Sequence, residues 1–146
     1  LRALYGPHAD ADKISAHLLE LGPALVVLTE GADGATMYSS SGYVMGVAAP
    51  TIEVVDTIGA GAAFLSALID GLSRISLGGA EYRANLRDMS PTNLQTLGAY
   101  AATAAAIAVS RSGANPPSRE ELIDRFEYYQ TSTITGLRRV HHPVHV

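Results

Sequence analysis

The chain contains no cysteine among its 146 residues, so it has neither a disulfide framework nor a thiolate metal site. This absence is compatible with a reducing compartment, and we expect a cytoplasmic protein. No N-terminal signal pattern is present, and the longest apolar run, residues 99–109, is mostly alanine. A membrane span needs roughly 20 apolar residues, so no membrane association is expected.

Charge of one sign is not concentrated anywhere in the chain. The 10 basic and 14 acidic residues give a formal net charge of −4, and no block of like charges stands out. A nucleic-acid-binding protein should have a visible basic excess, so nucleic acid is not expected as a partner. The apolar share of 47% is enough for a buried core, and the length corresponds to about one domain.

Hydrophobic periodicity in the first third of the chain predicts a helix followed by strands. Apolar residues recur at helical spacing from Asp10 until Gly22 ends the run. The continuous apolar run 24–29 then predicts a central strand, buried on both faces of a parallel sheet. Residues 35–38 and 43–47 predict a hairpin around a serine-rich turn.

The second half of the sequence predicts helices. Ser90 can cap a helix and Pro91 fits its first position, and the alanine-rich residues 94–109 follow. Their small side chains either let this helix pack closely on the sheet or permit a flat ligand to approach it. Ser118 begins a last helix with a pattern similar to a capping box. Residues 71–89 are expected to form a surface connection with one or two helical turns. The helices from Gly59, Ser90 and Ser118 are expected to pack on the faces of the sheet.

The stretch 54–64 organises the chain. An apolar pair that could end a strand is followed by the small residues Gly59, Ala60 and Gly61 and then by a helix-forming run. Small residues let the main chain approach a ligand, and the first amides of a helix lack intrahelical acceptors and lie at the positive end of its dipole. The pattern predicts an anion site; alternatively, the glycines only permit a tight turn.

Three segments resemble the ribokinase-like (PfkB) carbohydrate kinases, in that family's order. Residues 56–61, Asp-Thr-Ile-Gly-Ala-Gly, resemble its Asp-Thr-x-Gly-Ala-Gly-Asp signature. Thr29, Gly31 and Gly34 resemble its Thr-x-Gly-x-x-Gly element, and residues 109–117 resemble its adenine-side loop, most closely that of bacterial fructokinases. The resemblance implies an α/β fold, namely the C-terminal half of a ribokinase-like three-layer α/β/α structure.

The same resemblance implies ATP-dependent phosphorylation of a sugar hydroxyl, with a fructose-like substrate and Mg²⁺. Residues 1–130 would be the nucleotide-binding portion, followed by a tail, 131–146. The positions expected along the nucleotide are Thr29, Gly31, Gly34, Asp56, Thr57, Ala102 near the adenine, and Gly113. The amides of Gly59, Ala60 and Gly61 would form an anion hole for the transferring phosphoryl group. Backbone oxygens of Asp56 and Ile58 would bind a monovalent cation such as K⁺.

One position departs from the family pattern. The signature ends in an aspartate that takes the proton from the sugar hydroxyl, and Ala62 occupies that position here. Family members are roughly twice as long, and the chain has no Asn-x-x-Glu element, which helps to place Mg²⁺ in the family. We therefore expect a nucleotide-binding half that is inactive or severely impaired alone, exposes apolar surface, and associates with a companion segment or a second copy.

Two other interpretations follow from the residues. A non-catalytic nucleotide-binding pseudokinase or subunit module is favoured by Ala62. A dinucleotide oxidoreductase is disfavoured, because no Gly-x-Gly-x-x-Gly follows a first strand. The tail contains His141, His142 and His145, but no acid or cysteine accompanies them, and we do not expect a metal site there.

Overall fold

A computed structural model describes residues 5, 6, 9–75, 79–130 and 138–139. Short 3-10 turns lie at Gly31–Asp33 and Ala80–Tyr82. The helices and strands are, in chain order, α1 (Ala11–Glu20), β1 (Leu25–Thr29), β2 (Ala35–Ser39), β3 (Tyr43–Val47), α2 (Ala60–Arg74), α3 (Arg83–Arg87), α4 (Pro91–Val109), α5 (Arg119–Gln130) and β4 (Arg138–Arg139). The predicted α/β class is confirmed.

The strands form one antiparallel sheet in the order β1-β2-β3-β4. Leu25 lies opposite Ser39 and Thr29 opposite Ala35, and β2 pairs with β3 across the serine-rich turn, which confirms the hairpin. The expectation of a parallel sheet with residues 24–29 as its central strand is wrong, because β1 is an edge strand among the described strands and is only half-buried. The connections are too short for a parallel crossover, which needs about a dozen residues or more.

Helices cover both faces of the sheet. Met37 of β2 is fully buried under α4, where a Cβ added to Gly98 would lie 2.7 Å from the Met37 sulfur. Tyr38 points to the opposite face, since side chains alternate along a strand, and its hydroxyl donates a 2.8 Å hydrogen bond to Asp12 of α1. The order of layers is therefore α1, the sheet and α4.

The helices α2 and α5 make their main contacts with α4 rather than with the sheet, which corrects the prediction that all of the later helices pack on it. A Cβ added to Gly71 of α2 would lie 2.6 Å from the Leu97 side chain of α4. Phe126 of α5 stands edge-on to Tyr100 of α4, with the ring centroids 5.3 Å apart. Because α4 is apolar around most of its circumference, it is buried between the sheet and the other helices.

Side-chain caps begin the helices α1 and α4. The Asp10 carboxylate accepts the amides of Asp12 and Lys13 at the start of α1. Ser90 caps α4, with Pro91 in the first turn, so this predicted helix start is confirmed. Such caps satisfy amides that have no partner within the helix.

Two predicted boundaries are wrong. Val54 and Val55 do not end a strand; they are exposed and lie in irregular backbone, because the Val55 amide donates to Val109 rather than to a neighbouring strand. Residues 71–74 belong to α2 instead of the surface connection, and Met89 at the other end of that connection is buried. The short helical turns expected between these ends are present in 80–87.

Part of the predicted tail joins the sheet, since Arg138–Arg139 pairs with Tyr43 and Val44. The division of the chain after residue 130 stays a prediction, and the three tail histidines lie outside the described residues. In the part of the chain that the structure describes, no helix has the length and apolar character needed to cross a membrane. The same residues contain no cluster of three metal-ligating side chains.

Apolar surface is exposed on α2 and just before it, as the sequence predicts. Leu65 and Ile69 lie one helical turn apart and are 56% and 57% exposed, and Ile58 is 61% exposed. Contiguous apolar surface of this kind is usually covered by a partner.

We predict that Gly34 and Gly31, in the same turn, differ sharply in their tolerance of alanine. Both have positive φ, but a Cβ on Gly34 would lie 2.0 Å from the Val47 carbonyl oxygen, whereas one on Gly31 meets nothing within 4 Å. Gly31→Ala should lower the free energy of unfolding by about 1–2 kcal/mol through backbone strain alone. Gly34→Ala should lower the free energy of unfolding by about 3 kcal/mol or more. Urea denaturation measures both values, and equal effects would contradict this packing.

Candidate phosphate-binding site

The candidate site begins with Asp56, whose carboxylate accepts two backbone hydrogen bonds. Oδ1 accepts from the Ile58 amide at 3.0 Å, which closes a local turn of a kind that aspartate favours. Oδ2 accepts from the Gly113 amide at 2.8 Å. Together these amides, that of Ile58 first, lower the pKa of Asp56. The charged carboxylate thus holds its own turn against a loop far along the chain.

Gly59 leads the chain from this turn into α2. Its φ of +85° lies in the left-handed region that glycine adopts at little cost, which confirms the predicted glycine turn. Of the three amides predicted to form the anion hole, that of Ala60 donates to the Thr57 carbonyl at 3.4 Å, whereas those of Gly59 and Gly61 find no acceptor among the described residues. The Ala62 amide is free in the same sense, and Ala63 donates to the Gly59 carbonyl at 2.8 Å. Free amides at the positive end of a helix dipole can bind an anion.

The backbone at the start of α2 is accessible. Gly61 and Ala62 are exposed, and a Cβ added to Gly61 would meet nothing within 4 Å. Ala62 is in the first turn of α2, as predicted, and its methyl group offers no proton acceptor. The site can therefore stabilise negative charge through backbone amides, while position 62 supplies no base.

Residues 110–118 form the second side of the site. The Val109 carbonyl accepts the amides of Val55 at 2.8 Å and Asp56 at 3.1 Å. A Cβ added to Gly59 would lie 3.4 Å from Ala114, in van der Waals contact, so this turn faces the loop across about the width of one methyl group. The structure thus brings together the signature turn and the adenine-side loop, which the sequence identified as separate segments.

The charged side chains that hold this loop were not predicted from the sequence. Arg111 forms an ion pair with Glu121 of α5, and Arg119 forms one with Asp70 of α2. The Tyr100 hydroxyl also donates to Asp70 at 2.8 Å. Burial, together with this bond to Asp70, raises the pKa of Tyr100. These pairs join α2, α4, α5 and the loop into one network.

The capping pattern at 118–121 was the one sequence signal for this network. The Ser118 hydroxyl accepts the Glu121 amide at 3.2 Å, as such a pattern predicts. The Glu121 carboxylate, however, pairs with Arg111. A cavity of about 200 Å³ lies between α2, α4 and the loop, with Asp70 and Arg119 in its wall.

Thr29 is the last residue of β1, and Gly31 and Gly34 lie in the turn between β1 and β2. Gly34 accepts the Glu30 amide at 2.7 Å and donates to the Gly31 carbonyl at 3.1 Å. Among the described residues, no hydrogen bond is found between this turn and the Asp56 segment. Their assignment to the nucleotide stays a prediction, as does that of exposed Thr57.

Ala102 and the proposed cation ligands also remain predictions. Ala102 is 5% exposed and belongs to the core cluster, so it offers a ligand little surface of its own. The backbone oxygens of Asp56 and Ile58 accept none of the described backbone hydrogen bonds and remain available to a cation. Oxygen atoms of this kind suit hard cations.

Comparisons with known proteins agree with the motifs. The model of the pfkB family carbohydrate kinase matches residues 1–121. The fructokinase of Rhizobium leguminosarum bv. trifolii is 38% identical over 73 residues, or 50% of this chain and 22% of that protein. The 5-dehydro-2-deoxygluconokinase of Bacillus velezensis is 30% identical over 118 residues, or 80% of this chain and 31% of that protein. The matches span less than a third of either relative.

Solved structures share the fold. A fructokinase from Vibrio cholerae with fructose, ADP and calcium has a TM-score of 0.65 and 22% identity, over 86% of this chain and 37% of that one. Its double mutant, with fructose, ADP and potassium, has the same TM-score, 21% identity and the same coverage. A ribokinase II from E. coli with ATP and Mg²⁺ has a TM-score of 0.58 and 26% identity, over 86% of this chain and 35% of that one. The expected ribokinase-like fold is confirmed.

We predict that Asp56→Asn destabilises the chain in a pH-dependent manner. Because folding lowers the pKa of Asp56 below its ordinary value of 3.8, its contribution to stability is complete above that value and is lost as the pH falls through the folded-state pKa. The variant should therefore be less stable at pH 7 and approach the unchanged chain below about pH 3.8. Thermal unfolding from pH 2 to 7 measures this, with Asp124→Asn as the control for lost charge. A pH-independent difference would contradict the assignment.

Proposed function

Since this chain belongs to the pfkB family of carbohydrate kinases, we propose that it supplies the nucleotide-binding part of an enzyme that transfers the γ-phosphoryl group of ATP to a sugar hydroxyl. A fructose-like sugar is the proposed substrate, because the fructokinase similarity includes 73 residues at 38% identity. A cytoplasmic location fits ATP as the donor.

The observation that carries this proposal is the turn from Asp56 into α2. Its free amides at Gly61 and Ala62 lie beside an open surface, and the Asp56 carboxylate fixes the turn to the loop that carries Gly113. Phosphoryl transfer asks a protein mainly to position phosphates and to stabilise their charge. Preorganised backbone amides perform both tasks without any catalytic side chain.

We assign the remaining cofactor positions by family resemblance. The nucleotide would extend from the Gly61 amides along the Gly113 loop towards Ala102, with Thr29 and Gly31 on its other side. Mg²⁺ would neutralise the phosphates, and K⁺ would bind the free backbone oxygens of the Asp56 turn. Similar proteins crystallised with ADP or ATP and with Mg²⁺ or potassium support both ions.

The apolar surface of α2 supports a proposed partner. Leu65 and Ile69 are more than half exposed, and the longer relatives contain polypeptide that this chain does not match. We assign a companion segment of a kinase polypeptide to this surface, with a second copy of the chain as the alternative. Sedimentation velocity over a dilution series tests the alternative, because a monomer that is stable at all concentrations contradicts a second copy.

A non-catalytic nucleotide-binding module is the second candidate function, and Ala62 is the observation that favours it. Such a protein would retain the backbone amides and lack the base. The two candidates share ATP binding and differ in phosphoryl transfer, so they require separate experiments.

We predict that Gly61→Ala stabilises the fold while it weakens ATP binding. Gly61 has no positive φ and lies in the first turn of α2, so alanine should raise the free energy of unfolding by about 0.4–1 kcal/mol. The added Cβ would enter the open space at the free amides and reduce ATP affinity about tenfold, or roughly 1.4 kcal/mol. Calorimetry with ATP and a non-hydrolysable analogue measures the affinity.

The matched control is Gly46→Ala, an exposed strand position where a Cβ also meets nothing within 4 Å. It should leave the ATP affinity unchanged. Unaltered affinity in Gly61→Ala would refute the anion site, and no binding by the unchanged chain up to millimolar ATP would remove the nucleotide assignment.

We predict that Ala62→Asp increases phosphoryl transfer to fructose in the whole protein. A positioned general base contributes about 10²–10⁴ in rate, and a carboxylate in the first turn of α2 is favoured by the helix dipole. ATP affinity should change little, because the proposed contacts are backbone amides. A coupled ADP-release assay measures kcat, with Ala62→Asn as the uncharged control. Equal turnover of the alanine and aspartate forms would mean that the base is elsewhere.

A further inference from the structure

The loop 110–118 is closed at its two ends by one ion pair. Arg111 directly follows the cap of α4, and its guanidinium contacts Glu121 in the first turn of α5. The Ser118 hydroxyl accepts the Glu121 amide, so the backbone around the carboxylate is itself fixed. The pair therefore sets the distance between the end of α4 and the start of α5.

This pair is partly removed from water. The side chains of Arg111 and Glu121 are 29% and 37% exposed, whereas Arg119, which pairs with Asp70 at the other side of the loop, is 71% exposed. Exposed ion pairs contribute little, because solvent screens them and long side chains lose entropy. Asp70 is itself only 18% exposed, so of the two ion pairs at the loop it is that of Arg111 with Glu121 in which both side chains are partly removed from water.

The middle of the same loop contacts the candidate phosphate site. Gly113 donates its amide to Asp56 at 2.8 Å, and Ala114 lies against Gly59. Closing the ends of the loop limits where these middle residues can lie. A loop that is ordered before binding does not have to lose that conformational freedom when a ligand arrives.

We propose that Arg111 and Glu121 are positioning residues for nucleotide binding, which hold the loop 110–118 against the phosphate-binding turn before the nucleotide arrives. This inference rests on the proposed function. Neither side chain is assigned a contact with the nucleotide; both act through the backbone at Gly113. Losing the pair should weaken ATP binding more than its effect on global stability accounts for.

The test compares Arg111→Ala, Arg111→Glu, Glu121→Arg and the double charge reversal Arg111→Glu/Glu121→Arg with the unchanged 146-residue chain. Tyr38→Phe is the matched control, since it removes a hydrogen bond between β2 and α1, remote in the topology from the loop. Three quantities are measured for each protein: the ATP dissociation constant, the thermal midpoint, and hydrogen exchange of the Gly113 amide without nucleotide.

We expect Arg111→Ala to weaken ATP binding about five- to tenfold, because the free energy of ordering the loop would then reduce the affinity by about that factor. Gly113 exchange should accelerate by about the same factor. Tyr38→Phe should lower the thermal midpoint at least as much as Arg111→Ala does, and it should change neither the ATP dissociation constant nor the exchange of the Gly113 amide. The single charge reversals should weaken ATP binding further than Arg111→Ala does. The double reversal should recover most of the lost affinity. Such recovery would not occur if each residue had only a structural role of its own.

Unchanged Gly113 exchange in Arg111→Ala would overturn the inference, because the pair would not hold the loop. Unchanged ATP affinity together with faster exchange would also overturn it, because the loop order would not serve binding. If the unchanged chain itself binds no ATP, the proposed function fails, and the inference about the nucleotide fails with it. The exchange measurement then reports separately on the loop.

Discussion

The hydrogen bond from the Gly113 amide to the Asp56 carboxylate is the contact on which the candidate site depends. It joins residues 57 positions apart, and the adjacent Val109 carbonyl secures the same junction by accepting two amides. A carboxylate that accepts two amides is held in its charged form, which makes the junction electrostatic as well as geometric. The candidate phosphate-binding turn and the loop are consequently a single structural unit.

Helix α4 is the scaffold of this unit. Gly98 of α4 allows the sheet to approach on one side, against Met37, and on the other side Gly71 of α2 allows that helix to approach Leu97 of α4. The same helix ends at Val109, directly before the loop, so the packing of the core determines where the loop begins. Because close packing leaves little space for α4 to shift, the packing of its side chains also fixes the position of its C-terminal end.

The glycines of the family motifs meet different requirements. Gly59 supplies a left-handed turn and Gly61 supplies open backbone, which are properties of a binding site. Gly34 faces the Val47 carbonyl so closely that packing alone excludes a side chain. Packing within the fold is therefore enough to require a glycine at this position of the motif. At Ala62 the backbone and the side chain differ in what they can do. The backbone amide suits an anion site, whereas the methyl side chain cannot act as a base.

The sequence by itself determined the local features of this protein. The Gly59 turn, the Ser90 cap and the hairpin of residues 35–47 follow from short-range sterics and hydrogen bonding, so neighbouring residues suffice to predict them. Family motifs added the fold, and they are the basis on which kinase chemistry is proposed. These signals did not require knowledge of distant contacts.

Tertiary structure decided which of those elements meet. The apolar run of β1 is equally compatible with a buried parallel strand and with an antiparallel edge strand, because periodicity does not specify the neighbour. The pairing of Arg111 with Glu121 and of Asp56 with Gly113 likewise depends on how α4, α5 and α2 pack. Burial and proximity are properties of the assembled helices and sheet, and for that physical reason no local pattern in the sequence contains them.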